Sequence, residues 1–186
     1  MRAAAVRHHG TGLWAAPAAT TTVRAMYYVD GQLFHVGVRV HDLVAAKEEF
    51  ASSFGVSWCA VRDWPMDIWL PDRGYTSMPI ALTFSTTGPV RLELIQGSPG
   101  TPLDPNDGPG IHHLGYWVDD PAVETERLLA QGWELVMAAA SPDDGYGRFT
   151  YVRSPSGLLI EPVAASNRER FEAWWAGGTL TAPASR

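Results

Sequence analysis

Hydrophobic and polar positions alternate along Phe34–Val40, with His35, Gly37 and Arg39 on one face and Val36, Val38 and Val40 on the other, which predicts a β-strand. Asp42 stands where the N-cap of a helix belongs. Leu43, Ala46, Phe50 and Phe54 fall on one side of the helix it opens, and Gly55 ends it. Trp58–Val61 reads as the next strand. An aromatic, proline-rich excursion from Asp63 to Pro79 follows, and then a hairpin of Ile80–Ser85 and Val90–Gln96. Its second strand carries Arg91, Glu93 and Ile95 on one face and Leu92 and Leu94 on the other.

The same order then returns. FHVGVRVHDL at Phe34–Leu43 is echoed by GIHHLGYWVDD at Gly110–Asp120, with His35 on His113, Gly37 on Gly115, Val40 on Val118 and Asp42 on Asp120, all at an offset of 78 residues. Such self-similarity is the mark of a duplicated module. In the second copy Asp120 and Pro121 open a helix, Gly132 ends it, and Trp133–Ala138 is a strand. A loop at Ser141–Gly147 leads to a hairpin of Phe149–Arg153 and Leu158–Val163, which puts Glu161 where Glu93 fell. The modules span 31–98 and 109–165, and a proline- and glycine-rich linker, 97–110, joins them. A short helix, Asn167–Ala176, with Phe171, Trp174 and Trp175, and a polar tail make up 166–186.

Composition narrows the function. With 186 residues, 46% of them hydrophobic, the chain has room for one well-buried domain or two small modules with a common core. A net charge of −6 without a basic cluster argues against nucleic acid and anionic membranes, and no apolar run approaches the ~18 residues of a membrane helix. The single Cys59 excludes an internal disulfide framework and fits a reducing, cytoplasmic location. It reads as a buried small hydrophobe. Residues 1–30 read as a disordered tail, or as sequence upstream of a true start at Met26; His8 and His9 within them are not expected to be ligands. The expected partner is a small-molecule substrate, with a homodimer allowed.

Two repeats of strand-helix-three strands with His35, Glu93, His113 and Glu161 at corresponding places resemble the vicinal oxygen chelate superfamily, which includes glyoxalase I, methylmalonyl-CoA epimerase and extradiol dioxygenases. The most specific segments, Gly108–Asp120 and Ser154–Val163, are most similar to the epimerase and glyoxalase I branches. The resemblance implies an α+β fold in which paired βαβββ modules form a curved mixed sheet around a central metal cup. It implies one divalent ion held by His35, Glu93, His113 and Glu161. In glyoxalase-like relatives a ligand glutamate can also serve as base, which here would be Glu161 or Glu93. His112 is the neighbour of the ligand, because the internal alignment sets His113 on His35.

The residues carry part of this reading without the family. Glu93 and Glu161 lie in runs as apolar as LELI and LLIEPV, where a carboxylate costs several kcal/mol unless a charge compensates. Two imidazoles and two carboxylates suit Zn, Ni, Co, Mn or Fe, and they leave positions open on an octahedral ion for two neighbouring substrate oxygens. Such an ion acidifies the C–H beside a carbonyl. The expected function is therefore a metal-dependent isomerase, epimerase or lyase acting on a small carbonyl compound through an enolate-type intermediate. The alternatives are a dioxygenase or hydrolase on the same fold, and a non-catalytic binding or resistance protein. Strand parity offers Arg39 and Arg91 to an anionic substrate group, and Trp117, Trp64, Trp69 and Tyr75 to its apolar body.

Overall fold

The structure is a computed structural model that describes residues 33–180; the N-terminal tail, the alternative start at Met26, His8 and His9 and the last six residues lie outside the described residues. Ten strands form one sheet: β1 (Leu33–Arg39), β2 (Arg62–Asp63), β3 (Met66–Leu70), β4 (Gly74–Met78), β5 (Ala81–Phe84), β6 (Arg91–Gln96), β7 (Gly110–Val118), β8 (Glu134–Ala138), β9 (Thr150–Arg153) and β10 (Leu159–Ala164). Their order is β2-β5-β6-β1-β7-β10-β9-β8-β3-β4. The first module supplies β2-β5-β6-β1 and the second β7-β10-β9-β8. Antiparallel β1 and β7 join them at the centre, and β6 and β10 lie parallel to their own module's first strand.

Topology forces the sheet to curl. β2 at one end and β3 near the other are separated only by Trp64 and Pro65, so the ends of a ten-stranded sheet come within about 11 Å, the reach of three extended residues. The inside of this cup holds the largest apolar cluster, including Phe34, Ile68, Phe84, Trp117, Tyr151 and Trp174. Helix α1 (Leu43–Phe54) packs with Val38 and Leu94, and α2 (Pro121–Leu129) with Tyr116, Val152 and Ile160, each as a small separate core. The third helix, α3 (Arg168–Trp175), packs Phe171, Trp174 and Trp175 into the cup's own cluster. Asp42 and Asp120 accept hydrogen bonds from the first-turn amides of α1 and α2, as N-cap aspartates do.

Several local expectations need correction. The strand expected at Trp58–Val61 is only an isolated bridge from Trp58 to Ser85, and the paired residues are Arg62 and Asp63. The Asp63–Pro79 excursion contains the β3-β4 hairpin, which buries Ile68 and Leu70 and extends the second module's sheet through Trp69 and Ala138. Pro65, Pro71 and Pro79 bound its strands instead of interrupting them. Phe54, assigned to the apolar side of α1, is 71% exposed and meets only Phe50 among the described ring contacts. Helix α2 stops at Leu129, and Gly132, in the left-handed region, turns the chain beyond it.

Candidate metal centre

The four central strands each deliver one side chain to the cup: His35 from β1, Glu93 from β6, His113 from β7 and Glu161 from β10. Register explains how they meet. Gly37 lies between Glu93 and His113 in one row across the sheet, and Gly115 lies between His35 and Glu161 in the next. A Cβ on Gly37 would stand 2.0 Å from Cε1 of His113, and a Cβ on Gly115 would stand 1.8 Å from Cε1 of His35. Each module's glycine is thus the space in which the other module's imidazole lies. The spaced His-x-Gly pair, present in both copies, was the signal for this role.

Two bulges aim the imidazoles. Phe34 is the extra residue of β1 against β7, and His112 is the extra residue of β7 against β1. They are equivalent under the 78-residue offset and each precedes a ligand candidate. Phe34 meets His35 edge-on with ring centroids 4.4 Å apart, and stacks on Trp117 at 3.8 Å. His112 Nδ1 lies 3.1 Å from His113 Nδ1. With His113 Nε2 turned to the cup centre, His113 Nδ1 carries the proton and donates it to His112. Burial, then the neighbouring His113 and Arg39, push His112 down to about 3, so it is a neutral acceptor.

The donor atoms converge as ligands of one ion would. His35 Nε2 and His113 Nε2 are 2.8 Å apart. Glu93 Oε2 is 3.3 and 3.4 Å from them, and Glu161 Oε2 is 3.1 and 3.3 Å from them. Donors about 2.1 Å from a common ion stand about 3.0 Å apart at right angles and about 3.4 Å apart at a tetrahedral angle. All four residues are buried, and Glu93 Oε2 has no well-formed hydrogen bond. The four residues fit a divalent ion. Without one, a proton takes its place: burial lowers the His35 pKa, but the Glu93 charge and the hydrogen bonds of Glu161 and Glu93 outweigh it and raise it to about 9. Burial raises Glu161, and hydrogen bonds from His113 and His35 overcome that and bring it to about 2.

Tyr151, on β9, was not singled out from the sequence. Its hydroxyl is 3.4 Å from His113 Nε2, and burial followed by the charges of Glu161 and Glu93 hold the phenol well above its ordinary pKa. The register Ile160↔Val152 places it one step on, opposite Glu161, so the hairpin read from the sequence already contained it. Other assigned residues are dispersed. Trp64 lines the cup cavity. Trp117 is 2% exposed beneath Phe34, inside but covered. Arg91 stacks on Trp175 and donates to the Ser85 carbonyl, away from the cavity lining. Arg39 points to a separate groove, where it donates to the carbonyls of Pro102 and Asp107. Trp69 pairs across the β3-β4 hairpin with Tyr75, which is 55% exposed and bonded to Asp144.

Comparison with known proteins places these features in context. The profile of the Glyoxalase/Bleomycin resistance protein/Dioxygenase superfamily matches residues 34–151. A curated relative, the ethylmalonyl-CoA/methylmalonyl-CoA epimerase of Cereibacter sphaeroides, is 29% identical over 139 residues, covering 70% of this chain and 96% of that protein. Among solved structures, the hypothetical protein BH1468 from Bacillus halodurans C-125 superposes with a TM-score of 0.52 at 19% identity, over 72% of this chain and 93% of that one. The methylmalonyl-CoA epimerase of Mycobacterium tuberculosis gives 0.47 at 26% identity, over 72% and 87%.

Proposed function

Because the chain belongs to the Glyoxalase/Bleomycin resistance protein/Dioxygenase superfamily, we propose that it is a divalent-metal-dependent epimerase or isomerase that moves the proton on a carbon beside a carbonyl, through an enolate-type intermediate of its substrate. The observation that carries this is the convergence of two imidazole nitrogens and two carboxylate oxygens, all from buried residues, within 4.8 Å of one another. The curated relative acts on ethylmalonyl-CoA and methylmalonyl-CoA, and a related acyl thioester is the substrate class we adopt. His35, His113, Glu93 and Glu161 would hold the ion. When bound, it supplies Lewis-acid polarisation of a substrate carbonyl oxygen.

The chain's own residues do the proton work. Glu93 and Glu161 are equivalent carboxylates beside the histidine pair; the one that enters the step ionised takes the proton from one face of the carbon, and the other, which enters protonated, gives its own proton to the opposite face, so the two end with their protonation exchanged. Inversion at that carbon is the result. Tyr151 stays protonated and holds Glu161 by a hydrogen bond, which keeps that carboxylate oriented. Burial of the four side chains strengthens each of these interactions. A fourth ligand, the second carboxylate Glu93, disfavours the two-histidine, one-carboxylate arrangement of oxygen-activating sites.

The test combines elemental analysis with solvent-deuterium incorporation into ethylmalonyl-CoA. About one divalent ion per chain and exchange of the α-hydrogen are expected. Glu161→Gln keeps an oxygen donor while removing the base, and should slow exchange roughly 10²-fold or more while keeping part of the metal. A Gln variant that exchanges as fast as the parent would reduce Glu161 to a ligand. A protein that takes up no metal would overturn the reading. A small-molecule substrate goes with this reading, a cytoplasmic location is consistent with it, and a homodimer is allowed by it.

A further inference from the structure

The cavity lined by Glu93 and Glu161 takes one of its walls from outside the two modules: Phe171 and Trp174 of α3, and Leu180 beyond that helix. Helical spacing puts Phe171, Trp174 and Trp175 on one face of α3, at i, i+3 and i+4. The two tryptophans anchor that face. Both are buried; Trp174 donates from Nε1 to the Ala60 carbonyl at 2.9 Å, and the Arg91 guanidinium lies 4.2 Å over the Trp175 ring. Phe171, one turn earlier, is only partly buried, with its ring centroid 5.6 Å from Trp117, 5.8 Å from Phe84 and 6.2 Å from Phe34. Phe34 and Phe84 in turn meet His35 edge-on, at 4.4 and 5.3 Å. Phe171 thus stands one ring away from the metal centre, on the side of the cavity.

The chain beyond α3 is held as firmly. Gly178 donates its amide to the Ala173 carbonyl at 3.0 Å and Gly177 to the Trp174 carbonyl at 3.1 Å, with Gly177 at φ 99°. This pair of bonds is a Schellman turn, and it leads to Leu180, which packs against the cup's apolar cluster. Anchored tryptophans on one side and this turn on the other fix the wall in place. It leaves a cavity of about 90 Å³. Since an apolar hole of ~150 Å³ holds one six-carbon ring, a cavity of this size has room for about three to four non-hydrogen atoms.

The reacting carbon has to lie within hydrogen-bond reach of Glu93 or Glu161. Both line this cavity, so an alkyl group on that carbon is taken up there. On the basis of the proton-transfer function proposed above, we infer that α3 and the turn behind it limit the alkyl branch of the acyl substrate, and that Phe171 sets the limit, at about three carbons. A wall held by two buried indoles yields to a longer branch only by overpacking. One methylene too many in an apolar site costs about 10- to 200-fold in kcat/KM.

The experiment measures solvent-deuterium exchange and calorimetric affinity of the metal-loaded protein with ethylmalonyl-CoA and butylmalonyl-CoA, which differ by two methylenes in that branch. The wild-type protein should favour the ethyl compound by about 10-fold or more. Phe171→Ala removes the ring and should reduce that preference by about 10-fold or more, through a gain for the butyl compound relative to the ethyl one. Leu180→Ala, at a residue outside every helix and strand, serves if the first variant fails to fold, and should move the ratio in the same direction by a smaller factor. An unchanged ratio in the folded variant overturns the inference, and so does equal loss for both compounds, which would make Phe171 a support of the cup and not a limit on the branch. A wild-type protein that handles the butyl compound as well as the ethyl one, or binds neither, also overturns it. Binding without exchange of either compound would defeat the proton-transfer reading alone, and the ratio of affinities in wild type and variant would then decide the role of Phe171.

Discussion

At the scale of single residues, Gly37 and Gly115 decide whether the two histidines can meet. Alanine at either position places a methyl carbon inside the opposite imidazole, at 2.0 or 1.8 Å from Cε1. The ring must leave, since the glycine backbone is fixed on both sides by ladder pairing. Gly115→Ala should therefore displace His35 and Gly37→Ala should displace His113. Overpacking of this kind costs about 1–3 kcal/mol of stability. Its larger effect should be on metal affinity, lowered by more than the roughly 10- to 100-fold typical of residues behind a ligand. Titration against a chromogenic chelator reads this directly, and normal affinity in either folded variant would show that the glycines only shape the strand. His112 belongs to that supporting class. Its Nδ1 contact sets the tautomer of His113, so His112→Ala should weaken metal binding by about 10- to 100-fold, whereas His113→Ala should abolish it. The internal repeat made His112 only the neighbour of the ligand, because a repeat identifies the ligand and not what holds it.

At the scale of elements, Asp42 and Asp120 cap equivalent helices on the face of the sheet away from the cup. Replacing either by alanine should cost about 1 kcal/mol in denaturant unfolding with metal stoichiometry intact. A loss of metal would mean that helix position is transmitted to the strands. These caps, the duplicated modules and the convergence of His35, His113, Glu93 and Glu161 on one point were legible because they depend on residue type and period. The one-residue insertions at Phe34 and His112 were not, since a bulge leaves no mark in the alternation and yet turns a side chain onto the other face. Phe34 thereby covers Trp117, which strand parity alone had left open to a substrate. Arg39 and Arg91 show a second limit. Parity fixes a face, but the closure of the cup and the docking of α3 decide which part of that face is open, and those contacts span the whole chain.

At the scale of the whole molecule, α3 belongs to the core of the cup. Trp174 is 1% exposed, packs edge-on against Phe84 and donates from Nε1 to the Ala60 carbonyl at 2.9 Å, joining residues 114 apart in sequence. Trp174→Ala should accordingly cost about 3–5 kcal/mol in equilibrium unfolding, a value no peripheral helix would give. The metal centre couples to global stability with a definite pH dependence. In metal-free protein the His35 pKa is raised from 6.5 to about 9, so its contribution is complete below 6.5 and is lost as pH rises through 9. Glu161 is lowered from 4.5 to about 2, so its contribution is complete above 4.5 and is lost as pH falls toward 2. The metal-free chain should therefore be most stable between these limits and soften from about pH 7 to pH 9. Metal requires the deprotonated imidazole, so its stabilisation should grow over the range in which the proton's fades. Differential scanning calorimetry with and without chelator should show a small difference in Tm at about pH 6 and a large one at about pH 9. An equal difference at both values, or a metal-free Tm that rises over this interval, would mean that no proton stands in for the metal at His35.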